Sequence, residues 1–192
     1  MYNIHTRHIL MSLIASLLVF SAIVAAQEPD RLLISHTEDS YVLTVPVSRL
    51  KMTIPATSLS QQVIKIGGST NNPRYFNFSD PSRGLVLSGW FEPASSYRGI
   101  KAFWEHEQAA WQRNGLQKPM DVSFEKVNGW EVIFYQQPLP VGTSLNARAH
   151  FVQMGTWIDL HISMTTRDVS SASRPAIETI LKSISINDKP SN

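Results

Sequence analysis

The sequence contains no cysteine, and this absence excludes several kinds of chemistry. The chain can form no disulfide bond, no thiolate metal site and no cysteine nucleophile, and no cysteine is present for lipidation after an export leader. Its folded part must therefore be stable through its hydrophobic core alone.

Clustered positive charge is also missing. Lys and Arg total 17 against 15 Asp and Glu, which gives a formal net charge of +2, and the chain has no obvious basic run. Proteins that bind nucleic acid carry a concentrated basic surface. The composition therefore argues against a nucleic-acid partner.

Two common hydrolase motifs are absent as well. The chain has neither the His-Glu-X-X-His helix of zinc proteases nor the Gly-X-Ser-X-Gly nucleophile elbow. We therefore predict a non-catalytic protein that needs no cofactor and no bound metal.

The most specific pattern lies at the N-terminus. Arg7 precedes the apolar run Ile9–Ala26, which ends in Val24-Ala25-Ala26, a sequence of the kind that signal peptidase accepts. We predict a signal peptide over residues 1–26, a periplasmic or secreted location, and no stable membrane span after cleavage. The alternative is a retained anchor, because a run of about 18 apolar residues is at the lower limit for crossing a bilayer.

The periodicity of the remaining chain predicts an α+β domain. A polar lead-in (27–40) precedes a single domain over 41–186, and 187–192 is a flexible tail. Alternating residues predict strands, and a period near 3.6 predicts helices. The predicted strands are Tyr41–Val47, Leu50–Ile54, Tyr75–Ser79, Gly84–Glu92 and two hairpins, Val122–Gln136 and Asn146–Met164; the predicted helices are Tyr97–Asn114, capped by Ser95 or Ser96, and Arg174–Ile184. This order predicts an antiparallel, curved sheet of about six to seven strands flanked by two main helices.

Two local signals refine the strands. Asn128-Gly129 lies between alternating runs and predicts a type I′ turn that places Lys126 opposite Glu131. Gly89 lies in the middle of a strand, which indicates a bulge or the close approach of another backbone.

The hairpin Asn146–Met164 holds the densest group of titratable side chains. Its apolar face comprises Ala147, Ala149, Phe151, Ile158, Leu160 and Ile162. A turn at Met154–Gly155 would place His150 opposite Asp159 and Arg148 opposite His161. A turn at Gly155–Thr156 would pair the two histidines with each other, and the same side chains would still share one face.

The polar face of this hairpin supplies the candidate binding site. Its members are Arg148, His150, Trp157, Asp159 and His161. Arg and Trp are favoured in protein contacts, and burying all these polar groups without partners would be costly. We add Glu107, which interrupts the apolar stripe of the first helix. Its carboxylate must find a hydrogen-bonded or charged partner or stay protonated, and we expect it to lie at the rim or to meet an Arg or Lys.

The order of elements resembles the PsbP/Mog/DcrB-like fold. The likeness rests on an early strand ending in Ile54-Pro55, the two long hairpins, and the terminal stretch Ile177–Ile186, IETILKSISI. It covers roughly Tyr41 to Ile186. The resemblance implies a curved antiparallel sheet sandwiched by helices, and an accessory, chaperone or partner-binding role rather than catalysis. No functional residue can be carried over from it.

Three functions are compatible with the sequence. The first is an exported, non-catalytic accessory protein that binds a protein or a small molecule in the bacterial cell envelope. The second is a metal- or His/Asp-dependent hydrolase that uses the polar face of the hairpin, with Zn²⁺ held by histidine and carboxylate ligands. The third is an immunity or inhibitor protein against a periplasmic toxin.

Overall fold

Two antiparallel β-sheets contain most of the regular structure. The computed structural model describes residues 31–63, 73–140, 142–166 and 173–187. The predicted signal peptide and residues 188–192 of the predicted tail lie outside the described residues.

The elements follow one another in the order that the periodicity predicts, with three short strands added. The strands are β1 (Leu33–His36), β2 (Ser40–Val45), β3 (Leu50–Pro55), β4 (Ser60–Gln61), β5 (Tyr75–Asp80), β6 (Leu85–Pro93), β7 (Met120–Val127), β8 (Trp130–Pro138), β9 (Thr143–Gln153), β10 (Thr156–Thr166) and β11 (Ser185–Asn187), and the helices are α1 (Ile100–Arg113) and α2 (Ser173–Ser183).

The larger sheet has seven strands in the order β4-β5-β6-β10-β9-β8-β7, and the smaller has four in the order β1-β2-β3-β11. All neighbouring strands are antiparallel. The α+β class, the seven-stranded antiparallel sheet and the two helices are confirmed. The second sheet was not predicted, because its outer strands β1 and β11 are only four and three residues long and show little alternation of their own.

The main core joins the two sheets and α2. Inward side chains of the larger sheet, such as Phe78 and Leu160, form one cluster with Leu43 and Met52 of the smaller sheet and Leu181 of α2. The opposite face of the larger sheet carries a second cluster, in which Trp104 of α1 packs on the strand β8. The seven-stranded sheet therefore lies between α1 on one side and the smaller sheet with α2 on the other.

Two local predictions are wrong. The strand predicted over Tyr41–Val47 ends at Val45, because residues 46–49 turn towards β3, and Val47 is 70% exposed. The helix α1 is not capped by Ser95 or Ser96, which form a short 3₁₀ turn; it begins after Gly99, whose φ of 93° suits glycine.

Several other predictions are confirmed. The type I′ turn at Asn128-Gly129 has both residues at positive φ, and it sets Lys126 opposite Glu131. Pro175 lies in the first turn of α2, and Gly115 follows α1 with a φ of 67°. Within the described ranges, no helix combines the length and the apolar character needed to cross a membrane.

Candidate functional site

The hairpin of β9 and β10 forms the centre of the larger sheet. Its turn lies at Met154–Gly155, so His150 is opposite Asp159 and Arg148 is opposite His161. On the other side of β10, Asp159 is opposite Trp90 of β6 and His161 is opposite Ser88. Because side chains alternate along each strand, these polar groups all face α1, and the apolar face of the hairpin is in the main core.

Arg148 is the centre of a partly buried ion cluster. Its Nη1 atom lies 3.2 Å from Oδ1 and 3.3 Å from Oδ2 of Asp159, and its Nη2 atom lies 3.6 Å from Oε2 of Glu107 on α1. His150 completes the cluster, with Nε2 at 3.3 Å from Asp159 Oδ1. Glu107 therefore has the arginine partner that its position required, and the contact ties α1 to the hairpin.

The charges in the ion cluster stabilise one another. Burial alone would raise the pKa of Asp159, but the contact with His150 and the charge of Arg148 lower it. Burial alone would lower the pKa of Arg148, but Asp159, Tyr135 and Glu107 raise it. Both groups are therefore ionised at neutral pH.

Aromatic rings enclose His150. Its side chain is 1% exposed, and the ring centroids of Tyr97, Phe103 and Trp157 lie 5.4, 4.5 and 5.2 Å from its own. The 3.3 Å contact with Asp159 does not have the angles of a good hydrogen bond, and within the described residues neither ring nitrogen has a hydrogen-bond partner. His150 is therefore inaccessible to solvent and to any substrate in this conformation.

A cleft opens beside the ion cluster, at the C-terminal end of α1. Its volume is about 480 Å³. One wall is formed by Trp111 and Leu116, at and just beyond the end of α1. The other is formed by Pro138, the last residue of β8, and the loop residues Leu139 and Pro140. A hydrogen bond of 3.0 Å from Gln137 Nε2 to the carbonyl oxygen of Gln117 joins the two walls.

The floor of the cleft is polar and comes from three strands. Tyr135 of β8, Asn146 of β9 and His161 of β10 lie side by side there. His161 Nε2 lies 3.0 Å from Asn146 Oδ1 and 3.5 Å from the Tyr135 hydroxyl. These three side chains are the groups through which the cleft can make directed hydrogen bonds.

The hydrogen bonds of the floor determine which ring nitrogen of His161 carries the proton. Asn146 Nδ2 donates to the carbonyl oxygen of Ser144 at 2.9 Å, which directs Oδ1 towards His161. Because Oδ1 can only accept, His161 must carry its proton on Nε2, which leaves Nδ1 as an acceptor. Burial, assisted by the charge of Arg148, lowers the pKa of His161 to about 3, and burial raises the pKa of Tyr135 to about 12. Both side chains are therefore uncharged at neutral pH.

A larger groove, of about 600 Å³, lies on the other side of Trp111 and Leu116, next to Glu105 and Lys118. None of the polar groups of the hairpin lines it. We therefore assign the candidate site to the smaller cleft, where directed polar groups converge.

The predicted site residues separate into two groups. Arg148, His150, Asp159, Glu107 and Trp157 form or enclose the ion cluster. Of the six predicted residues, His161 is the one that lines the cleft.

Sequence reasoning missed Tyr135 and Asn146. The period of two could have found them, since Asn146 is two residues before Arg148 on the same face and Tyr135 pairs with Asn146 on the next strand.

Comparisons with known proteins show no family for this chain. No protein-family model matches the chain, and no curated protein matches it. A crystal structure from Bacteroides thetaiotaomicron VPI-5482 is similar with a TM-score of 0.41 and 10% sequence identity, covering 84% of this chain and 50% of that chain. This chain thus spans about half the length of that protein, and a likeness at this level supports no conclusion about function.

Proposed function

We propose that this protein is an exported, non-catalytic binding protein of the bacterial cell envelope, and that the cleft over Tyr135, Asn146 and His161 is its binding site. The observation that carries the proposal is the cleft itself. Its volume of about 480 Å³ is that of a small-molecule site, and its walls are mainly apolar with a few convergent polar groups.

The ion cluster supports binding over hydrolysis. A general base or a metal ligand must reach the substrate or the ion. The ring of His150 is enclosed by Tyr97, Phe103 and Trp157, and Asp159 already contacts Arg148 and His150. Among the described residues, no group of three His, Asp or Glu side chains is arranged to hold a metal ion. The same cluster has a clear structural use, because it ties α1 to the sheet.

Export and family membership rest on the sequence. The apolar run Ile9–Ala26 with its cleavage pattern supports export, and the resemblance to the PsbP/Mog/DcrB-like fold supports an accessory role. Both stay predictions, and neither names the ligand.

Affinity selection tests the proposal. The folded protein is immobilised and incubated with a small-molecule extract of the bacterium that makes it, and the retained compounds are identified by mass spectrometry. We expect the wild type to retain a compound that Leu139→Asp releases, because this change places a charge on an apolar wall of the cleft.

The matched control is Val47→Asp. It makes the same kind of change at an exposed aliphatic residue in the turn between β2 and β3, and it should retain the compound. Equal retention by both variants, or no retention by the wild type, would remove the cleft as the binding site. Chemical conversion of the retained compound by the wild type would favour the hydrolase instead.

A further inference from the structure

The residues that line the cleft carry no formal charge. Within the described part of the chain, its lining consists of aromatic, aliphatic and proline side chains together with Gln, Asn and neutral His. The charge of Arg148 in the ion cluster is already neutralised by Asp159 and Glu107. A charged ligand would lose its hydration on entering and find no counter-charge, which is costly.

The floor offers an unused hydrogen-bond donor. Arg148 has only donors, so any hydrogen bond between it and the Tyr135 hydroxyl is donated by the arginine. His161 Nε2 donates its proton to Asn146 and therefore cannot accept from Tyr135, although it is 3.5 Å away. Among the described residues, the hydroxyl proton of Tyr135 thus has no acceptor, and burial keeps this proton in place by raising the pKa to about 12.

The walls favour a flat apolar body. Trp111 offers an aromatic ring that is itself held by Trp104 and Tyr135, with ring centroids at 5.2 and 5.4 Å. Leu116 and Leu139 are exposed and offer further apolar surface. Such walls gain most from a ring system that leaves its polar end for the floor.

We propose that the cleft binds an uncharged ring compound that carries a carbonyl or similar oxygen, and that this oxygen accepts a hydrogen bond from Tyr135. The inference rests on the proposed function and specifies the ligand class of the same site. Under this proposal, Tyr135 determines which ligands the cleft prefers, although the sequence did not single this residue out.

A matched series of four probes tests the ligand class: naphthalene carboxamide, naphthoate, naphthylmethylammonium and naphthalene itself. Binding is measured by titration in ¹H–¹⁵N correlation spectra, with the indole resonance of Trp111 as the reporter of the cleft. We expect the carboxamide to bind at least several-fold more tightly than either charged probe, and more tightly than naphthalene.

The variant Tyr135→Phe isolates the hydroxyl. It should weaken carboxamide binding about 3- to 10-fold, as expected for one hydrogen bond, and leave naphthalene binding unchanged. A merely structural effect of the substitution would weaken both probes alike. Tyr75→Phe is the control, because it removes a hydroxyl from the same face of the sheet outside the cleft, where it accepts a hydrogen bond from Asn77.

The outcomes separate this inference from the proposed function. Tighter binding of naphthoate or of the ammonium probe in the cleft would overturn the ligand class and leave the cleft as a binding site. Equal affinities for carboxamide and naphthalene, or an unchanged preference in Tyr135→Phe, would overturn the role of Tyr135. If no probe perturbs Trp111, the ligand class is also rejected, and affinity selection then decides about the binding function by itself.

Discussion

Single residues determine how closely the strands of the central sheet approach one another, and Gly89 is the clearest case. A Cβ atom at this position would lie 2.3 Å from the carbonyl oxygen of Asp159 and 2.7 Å from Cζ of Phe76. The sequence predicted a bulge or a close backbone approach here, and the second is confirmed. The absence of a side chain lets β6 approach the strand that carries the ion cluster.

We expect Gly89→Ala to lower the free energy of unfolding by about 2–3 kcal/mol, because the clash is with a backbone atom that cannot rotate away. Urea denaturation measures this. Gly155→Ala in the hairpin turn is the comparison: nothing lies within 4 Å of its Cβ position, and its positive φ costs about 1 kcal/mol. A smaller loss at Gly89 than at Gly155 would contradict the close approach.

Elements differ in how well the sequence predicts them. The two hairpins were predictable because each shows long alternation around a Gly-containing turn. Asn128-Gly129 determined the register of the first locally, whereas the sequence left two registers open for Asn146–Met164, of which the structure has the one with the turn at Met154–Gly155. The short strands β1 and β11 were not predictable, because strands of four and three residues show too little alternation. In addition, β11 pairs with β3, which is distant in sequence.

The candidate site was predictable only in part, for the same reason. The face shared by Arg148, His150, Asp159 and His161 follows from one hairpin. The cleft is formed by the end of α1, a loop and three strands, and no local pattern brings these together.

The helix α1 depends on one aromatic anchor. Trp104 is 5% exposed and packs against Trp111, Tyr135 and Phe124. We expect Trp104→Ala to destabilise the protein by about 3–5 kcal/mol, the usual cost of removing a buried aromatic side chain. Hydrogen exchange should show that the amides of α1 lose protection. His106→Ala, on the exposed side of the same helix, should change neither measurement; equal effects of the two variants would mean that α1 is held in another way.

The arrangement of the whole molecule explains how the larger sheet can carry polar side chains on its α1 face. The core side of the larger sheet packs against the smaller sheet and α2, but α1 covers only part of the other side. The ion cluster lies under the covered part, where its charges compensate one another. The floor of the cleft lies beyond the end of α1, where the groups are uncharged. This division predicts different responses to acid for the two regions.

The carboxylates with lowered pKa values, including Asp159 and Asp80, stabilise the folded state above their ordinary pKa of about 4 and lose this contribution only below it. His161 acts in a different window. Its folded pKa of about 3 is below its ordinary value of 6.5, so between these values the unfolded chain binds a proton that the folded protein does not. The contribution of His161 to folding stability is fully present above pH 6.5, and it is lost as the pH is lowered from 6.5 towards 3.

We therefore expect the free energy of unfolding to fall by about 2 kcal/mol between pH 7 and pH 5, because the unfolded chain gains a proton at His161 that the folded protein does not bind. Urea denaturation at closely spaced pH values measures it. In His161→Gln this loss should disappear, because the amide keeps a donor for Asn146 Oδ1 but binds no proton. His106→Gln, a change at an exposed histidine, should retain the wild-type profile. If the loss persists in His161→Gln, another group binds the proton, and the argument that the cleft floor is kept uncharged by burial fails.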